Sequence, residues 1–132
     1  MIHTSYIEIS ESAIKNNLAF IQKLIGDQVQ LSAVVKGNAY GHGDSTYCKL
    51  AYKHGVRHFS VADAGEAHGV FNALPNKDIT IMIMGMISHE QLPWAISNDI
   101  EFYVFESDRL HAAIEAAKTL GKPAKIHIEV ET

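Results

Sequence analysis

The chain has 132 residues, 47% of them hydrophobic and 20% charged, with a formal net charge of −4. That balance belongs to one folded domain rather than a disordered segment, and the interspersed charges lack the basic stripe of a nucleic-acid surface. No apolar run approaches the roughly 18 residues that span a bilayer, so no membrane contact is expected. MIHTSYIEIS lacks the order of a signal peptide, and a lone cysteine, Cys48, points to a reducing, cytoplasmic setting without an internal disulfide.

Ser10 is placed to cap a first helix in which Ile14, Leu18, Ile21 and Ile25 recur at helical spacing. LSAVV then reads as a short strand, and Asp44 or Ser45 as the cap of a helix through TYCKLAYKH that Gly55 closes. HFSVA is a second strand. Asp63 and Glu66 have the spacing of a capping box, opening a helix with Ala67, Val70, Phe71 and Leu74 on one face. A turn at Asn76, Lys77 and Asp78 leads into ITIMIM, a third strand that is apolar throughout. Ser88 and Gln91 repeat the capping-box spacing before LPWAIS, and EFYVF is a fourth strand. A long helix follows with Leu110, Ala113, Ile114, Ala117 and Leu120 inward and Gly121 at its end, before a fifth strand in AKIHIEV. The eight histidines are scattered; the closest pair, His54 and His58, straddles Gly55 and reads as packing or surface residues rather than a metal site.

Apolar strands alternating with helices indicate an α/β protein with a parallel sheet covered by helices. An open doubly wound sheet and a (β/α) barrel both satisfy that order. In either layout chemistry gathers at the carboxyl ends of the strands, where Lys36 follows the first strand. Desolvation at such a rim disfavours a charged amine, and a neutral lysine attacks carbonyls to form a Schiff base. The alternative is a lysine that simply extends its head to water from the strand end. Gly37, Gly41 and Gly43 permit tight or left-handed backbone and close approach to a ligand, Asn38 can bond locally in a turn, and Tyr40 offers a phenol on the same rim. The loop matches neither GxGxxG nor the Walker pattern, so a nucleotide is not indicated.

AVVKGNAYGHG closely resembles the cofactor-lysine motif of the alanine racemase family, whose usual form has alanine in place of Gly37. YIEISESAIKNNLAFI is similar to that family's opening strand and helix, FSVADAGEA to its second strand and helix start, IMIMG to its third strand and KPAKIHIEVET to its fifth. The resemblance implies the N-terminal portion of a (β/α)8 TIM-type barrel, about five parallel strands, with residues 1–132 forming that part of the barrel domain. The C-terminal barrel half and a β-rich domain would lie outside it. It further implies pyridoxal 5′-phosphate as cofactor, a small amino-acid substrate, most simply alanine, and a homodimer in the full-length protein.

By the same resemblance Lys36 holds the cofactor covalently and serves as base on one face of the substrate α-carbon, opposite a tyrosine from a partner subunit. Tyr40 matches the tyrosine that contacts the cofactor phosphate, and Met84 a position lining the cofactor pocket. Asn38 and His42 shape the loop. Glu129 stands where many members carry a carbamylated lysine that holds an arginine, so it is a candidate substitute for that carbamate. A strand carboxylate bonded to a neighbouring lysine, and a core methionine at position 84, are the plain alternatives. A chain of this length alone is expected to be inactive, since such a barrel takes about 200 residues or more. Rival functions are a non-catalytic pyridoxal-phosphate homeostasis protein, a racemase for another amino acid such as serine, a decarboxylase on the same barrel type and a cofactor-free Schiff-base aldolase.

Overall fold

The computed structural model describes residues 4–75, 78–130 and 132. The expected turn at Asn76 and Lys77 lies outside them. Helix α1 (Glu11–Ile25) precedes strand β1 (Ser32–Val34), followed by α2 (Asp44–Lys53), β2 (His58–Val61), α3 (Ala64–Ala73), β3 (Thr80–Ile83) and α4 (Leu92–Ser97). Strand β4 (Glu101–Val104), helix α5 (Ser107–Leu120) and strand β5 (Ile126–Ile128) complete the order. A turn of 3-10 helix at His89–Gln91 leads directly into α4.

The five strands form one parallel sheet in the order β1-β2-β3-β4-β5. A doubly wound sheet reverses its strand order at a switch point; here every strand lies beside its sequence neighbours. That decides between the two layouts. The strands wind in one direction, as in the first five units of a (β/α)8 barrel, and the sheet is open.

The core lies between the sheet and its helices. Phe59, Val61, Ile81, Ile83 and Phe102 point to that side and are almost wholly buried, meeting Ala51, Ala67, Val70, Ala95 and Ile96 from the helices. Small residues on the helix faces let the helices sit close to large strand side chains. Cys48 belongs to this layer, where burial first and the nearby Asp44 second push its thiol up to about 12. It stays protonated and unreactive at neutral pH.

Several expected details differ. Tyr6 to Ile9, matched to an opening strand, pair with no strand among the described residues, and Tyr6 and Ile7 are exposed. Helix α1 is capped by Ser10 as expected but buries no residue fully; Leu18 reaches the core edge while Ile21 is exposed. In α5 the inward position is taken by Ala113 and, unexpectedly, Arg109, with Ile114 and Leu120 exposed. The Arg109 guanidinium donates through Nη1 to the Ile87 carbonyl, so it ties α5 to the loop after β3. Among the described residues its Nε finds no acceptor. No helix among those residues is long and apolar enough to cross a membrane.

Candidate active site

The ladder runs one residue past β1, because Val35 N–H donates to the Ser60 carbonyl at 2.8 Å. Lys36 therefore stands at the carboxyl end of the first strand, exposed, and among the described residues its ammonium has no ion pair or hydrogen bond. Beyond it the backbone turns left-handed. Gly37 (φ 61, ψ 44), Asn38 (φ 55, ψ 47), Ala39 (φ 52, ψ 49) and Tyr40 (φ 55) form a left-handed helical turn that Gly41 (φ 87) closes. Such backbone costs an L-residue roughly 1–2 kcal/mol, and three of these four are not glycine.

Local bonds offset that cost. Gly41 N–H donates to the Gly37 carbonyl at 3.0 Å and Gly43 N–H to the Asn38 carbonyl at 3.0 Å, while Ala39 is buried in the core. Asn38 Oδ1 accepts from the Asp44 N–H at 2.9 Å, so the cap of α2 comes from Asn38; Gly43 takes the N-cap position, where Asp44 or Ser45 was expected. Asn38 thus shapes the loop, and the His42 N–H bonds within it to the Ala39 carbonyl. The Tyr40 side chain is 64% exposed and also free of partners among the described residues.

Glu66 is the residue that sequence reasoning missed. Asp63 caps α3 by accepting from the Glu66 N–H at 2.9 Å, but the reciprocal half of the expected capping box is not made. Instead the Glu66 carboxylate accepts from the Ala62 N–H through Oε2 at 2.8 Å and from the Gly37 N–H through Oε1 at 2.6 Å. The Asp63–Glu66 spacing was visible; the long-range partner 29 residues away was not.

Met84 and Glu129 come together at the carboxyl ends of β3 and β5. They line one open depression of about 670 Å³ with Gly85, Met86, Phe105 and Glu106. Gly85 is required there, because a Cβ on it would lie 2.5 Å from the Ala62 carbonyl oxygen. Glu129 is anchored through its backbone N–H to the Val104 carbonyl at 3.1 Å. Its carboxylate pairs with no lysine among the described residues. Lys36 and Tyr40 share the same carboxyl rim at its β1 end but do not line that depression.

On the face of the sheet that turns away from the helices lies a separate polar chain. Ser32 Oγ is 2.7 Å from both Ser60 Oγ and His58 Nδ1, and Glu101 Oε2 lies 3.6 Å from His58 Nε2 and 2.7 Å from His127 Nε2. His54 turns away to Glu11 at 2.9 Å, so the two histidines around Gly55 serve different contacts. Among the described residues no group of three or more His, Cys, Asp or Glu could hold a metal ion.

The singly wound parallel strands have the arrangement of the first five units of a (β/α)8 barrel, and Lys36, unpaired among the described residues, stands at the carboxyl end of the first. Residues 9–132 match the family described as alanine racemase, N-terminal domain, and the chain belongs to that family. It is 35% identical over 130 residues to the alanine racemase of Methanococcus maripaludis, covering 98% of this chain and 34% of that one. The crystal structure of alanine racemase from E. faecalis superposes with a TM-score of 0.82 at 29% identity, covering 92% of this chain and 33% of the other. A histidine racemase from Leuconostoc mesenteroides shares the fold, with a TM-score of 0.77 at 22% identity over 88% of this chain and 30% of its own. The chain spans about a third of the length of the curated relatives it matches.

Proposed function

We propose that the chain is the cofactor-lysine part of a pyridoxal-phosphate-dependent amino-acid racemase acting on alanine, in which residues 1–132 form the N-terminal part of the barrel domain. The observation that carries this reading is the Lys36 ammonium, unpaired among the described residues, at the end of β1 on a braced left-handed turn. An amine already committed to a carboxylate would have to give up that bond before reacting with an aldehyde; this one does not. The residues present fit the group. Lys36 Nζ would hold it covalently, the exposed Tyr40 phenol would donate to its phosphate, and Met84 would line its pocket.

When bound, the group would supply an electron sink for the pair left at the substrate α-carbon. Lys36 Nζ, freed when the amino group of the incoming substrate takes its place on the cofactor, would take or return the proton of that carbon on one face. The second base, for the opposite face, comes from outside these residues, as do the partner subunit of a homodimer and the rest of the barrel. Glu129 replaces the carbamylated lysine of relatives as the acceptor for an arginine; its carboxylate is acceptor-only and suits a bidentate pair. The relatives named alanine racemase support the substrate, and the absence of a membrane-crossing helix among the described residues is compatible with the cytoplasm.

Addition of pyridoxal phosphate to the chain is expected to give a near-ultraviolet to visible absorbance band that borohydride fixes onto Lys36 and that Lys36→Ala abolishes. A band that survives Lys36→Ala, or a borohydride adduct on another lysine, overturns the assignment. The chain by itself is expected not to interconvert L- and D-alanine.

A further inference from the structure

We infer that Glu66 is a positioning residue for Lys36, acting through the peptide plane between Lys36 and Gly37. The Gly37 N–H lies in the same peptide plane as the Lys36 carbonyl, so a partner on that N–H fixes the backbone of Lys36 and the direction in which its side chain leaves. That partner is Glu66 Oε1 at 2.6 Å. The other oxygen of the same carboxylate holds the Ala62 N–H at 2.8 Å, just past β2. One half-buried side chain in the first turn of α3 therefore ties the end of β1 to the end of β2.

Chemistry selects glutamate here. Two N–H donors converge on one side chain, and only an ionised carboxylate offers an acceptor to each; glutamine would present an NH2 group to one of them. Bonds to an ionised acceptor are about twice as strong as neutral ones. The turn they brace is left-handed over Asn38, Ala39 and Tyr40, so it does not hold its shape without help. The Asn38 to Asp44 bond secures the far end of the turn, and Glu66 secures the end that carries the amine.

Insofar as it concerns cofactor capture, this inference rests on the reading of Lys36 given above, and the test separates the two. In the chain, Glu66→Ala and Glu66→Gln are compared with the wild type by amide hydrogen exchange and by titration with pyridoxal phosphate followed by absorbance. Exchange at Gly37 is expected to quicken by about tenfold or more in Glu66→Ala, the weight of one charge-assisted hydrogen bond, while Phe59 in the core keeps its protection. The affinity for pyridoxal phosphate at Lys36 is expected to fall by a similar factor, with Glu66→Gln intermediate because one acceptor remains. Unchanged exchange at Gly37 overturns the inference. So does faster exchange with undiminished affinity, since that makes Glu66 a structural brace only. A wild-type chain that forms no Lys36-dependent band refutes the cofactor reading, and the positioning role with it, even where the exchange result shows the clamp itself. Should Glu66→Ala fail to fold, Glu66→Gln carries both measurements.

Discussion

On the helix-covered face of the sheet, Phe59, Ile81, Ile83 and Phe102 lie side by side across β2, β3 and β4, each exposed by 2% or less. On the opposite face β1, β2, β4 and β5 present Ser32, His58, Ser60, Glu101 and His127, linked through oxygen and imidazole nitrogen. Both sets come from one chain alternating at every residue. The first set buries apolar area and holds the helices on. The second faces away from the helices, and the strands on that side run on to the rim where Lys36, Met84 and Glu129 stand. The packed core and the candidate site are thus separated by strand parity rather than by position along the sequence, which makes the two separately testable.

The largest expected effect falls on the covered face. Phe59→Ala should destabilise the chain by about 3–5 kcal/mol, the loss of a buried aromatic ring plus the cavity it leaves. Urea denaturation measures this, with Phe59→Leu as the milder variant if alanine abolishes folding. A cost under about 1 kcal/mol for Phe59→Ala would mean the covered face does not carry the fold.

A smaller effect is expected where the two faces meet at the rim. Gly85→Ala places a methyl 2.5 Å from the Ala62 carbonyl oxygen, a backbone atom that cannot swing aside. The strand ends must part, straining the Met84 N–H bond to the Val61 carbonyl and the Gly85 N–H bond to Ala62. The cost should be about 1–3 kcal/mol, seen as a lower melting midpoint and faster amide exchange at Met84. An unchanged midpoint would show that the rim is more compliant than its packing implies.

Much of the architecture was legible in the amino-acid order. Each of the five strand segments contains an observed strand, because runs such as ITIMIM, bounded by glycine and capping residues, have few other conformations available. Whether the sheet was doubly wound or barrel-like was not legible from element order alone, since only the pairing of neighbours shows it. The polar alternation in HFSV and EFYV was present in the sequence, yet an expectation of strands apolar throughout hid the second face. At the site, the glycines around Lys36 announced a special turn. Its handedness over Asn38, Ala39 and Tyr40 was not announced, because tertiary bonds impose a conformation that local preference opposes. Glu66 and Arg109 were missed for the same reason: both partners are distant in sequence, and the first was masked by a plausible local cap.

The smallest effects belong to the polar face, and their order is informative. Ser60 is 1% exposed and its Oγ lies 2.7 Å from Ser32 Oγ, so Ser60→Ala removes one hydrogen bond, a net loss of about 1 kcal/mol. Ser32 sits in the middle of the chain, with His58 Nδ1 at 2.7 Å on its other side. Ser32→Ala therefore strands two buried groups, Ser60 Oγ and His58 Nδ1, and a stranded group costs more than a bond removed whole. Ser32→Ala should accordingly exceed Ser60→Ala, with both well below Phe59→Ala, and the double variant should cost less than the sum of the singles because the two share a bond. Equal single effects that simply add would show that the serines are solvated independently. The polar face would then be a row of separate groups, not a connected network running across the sheet.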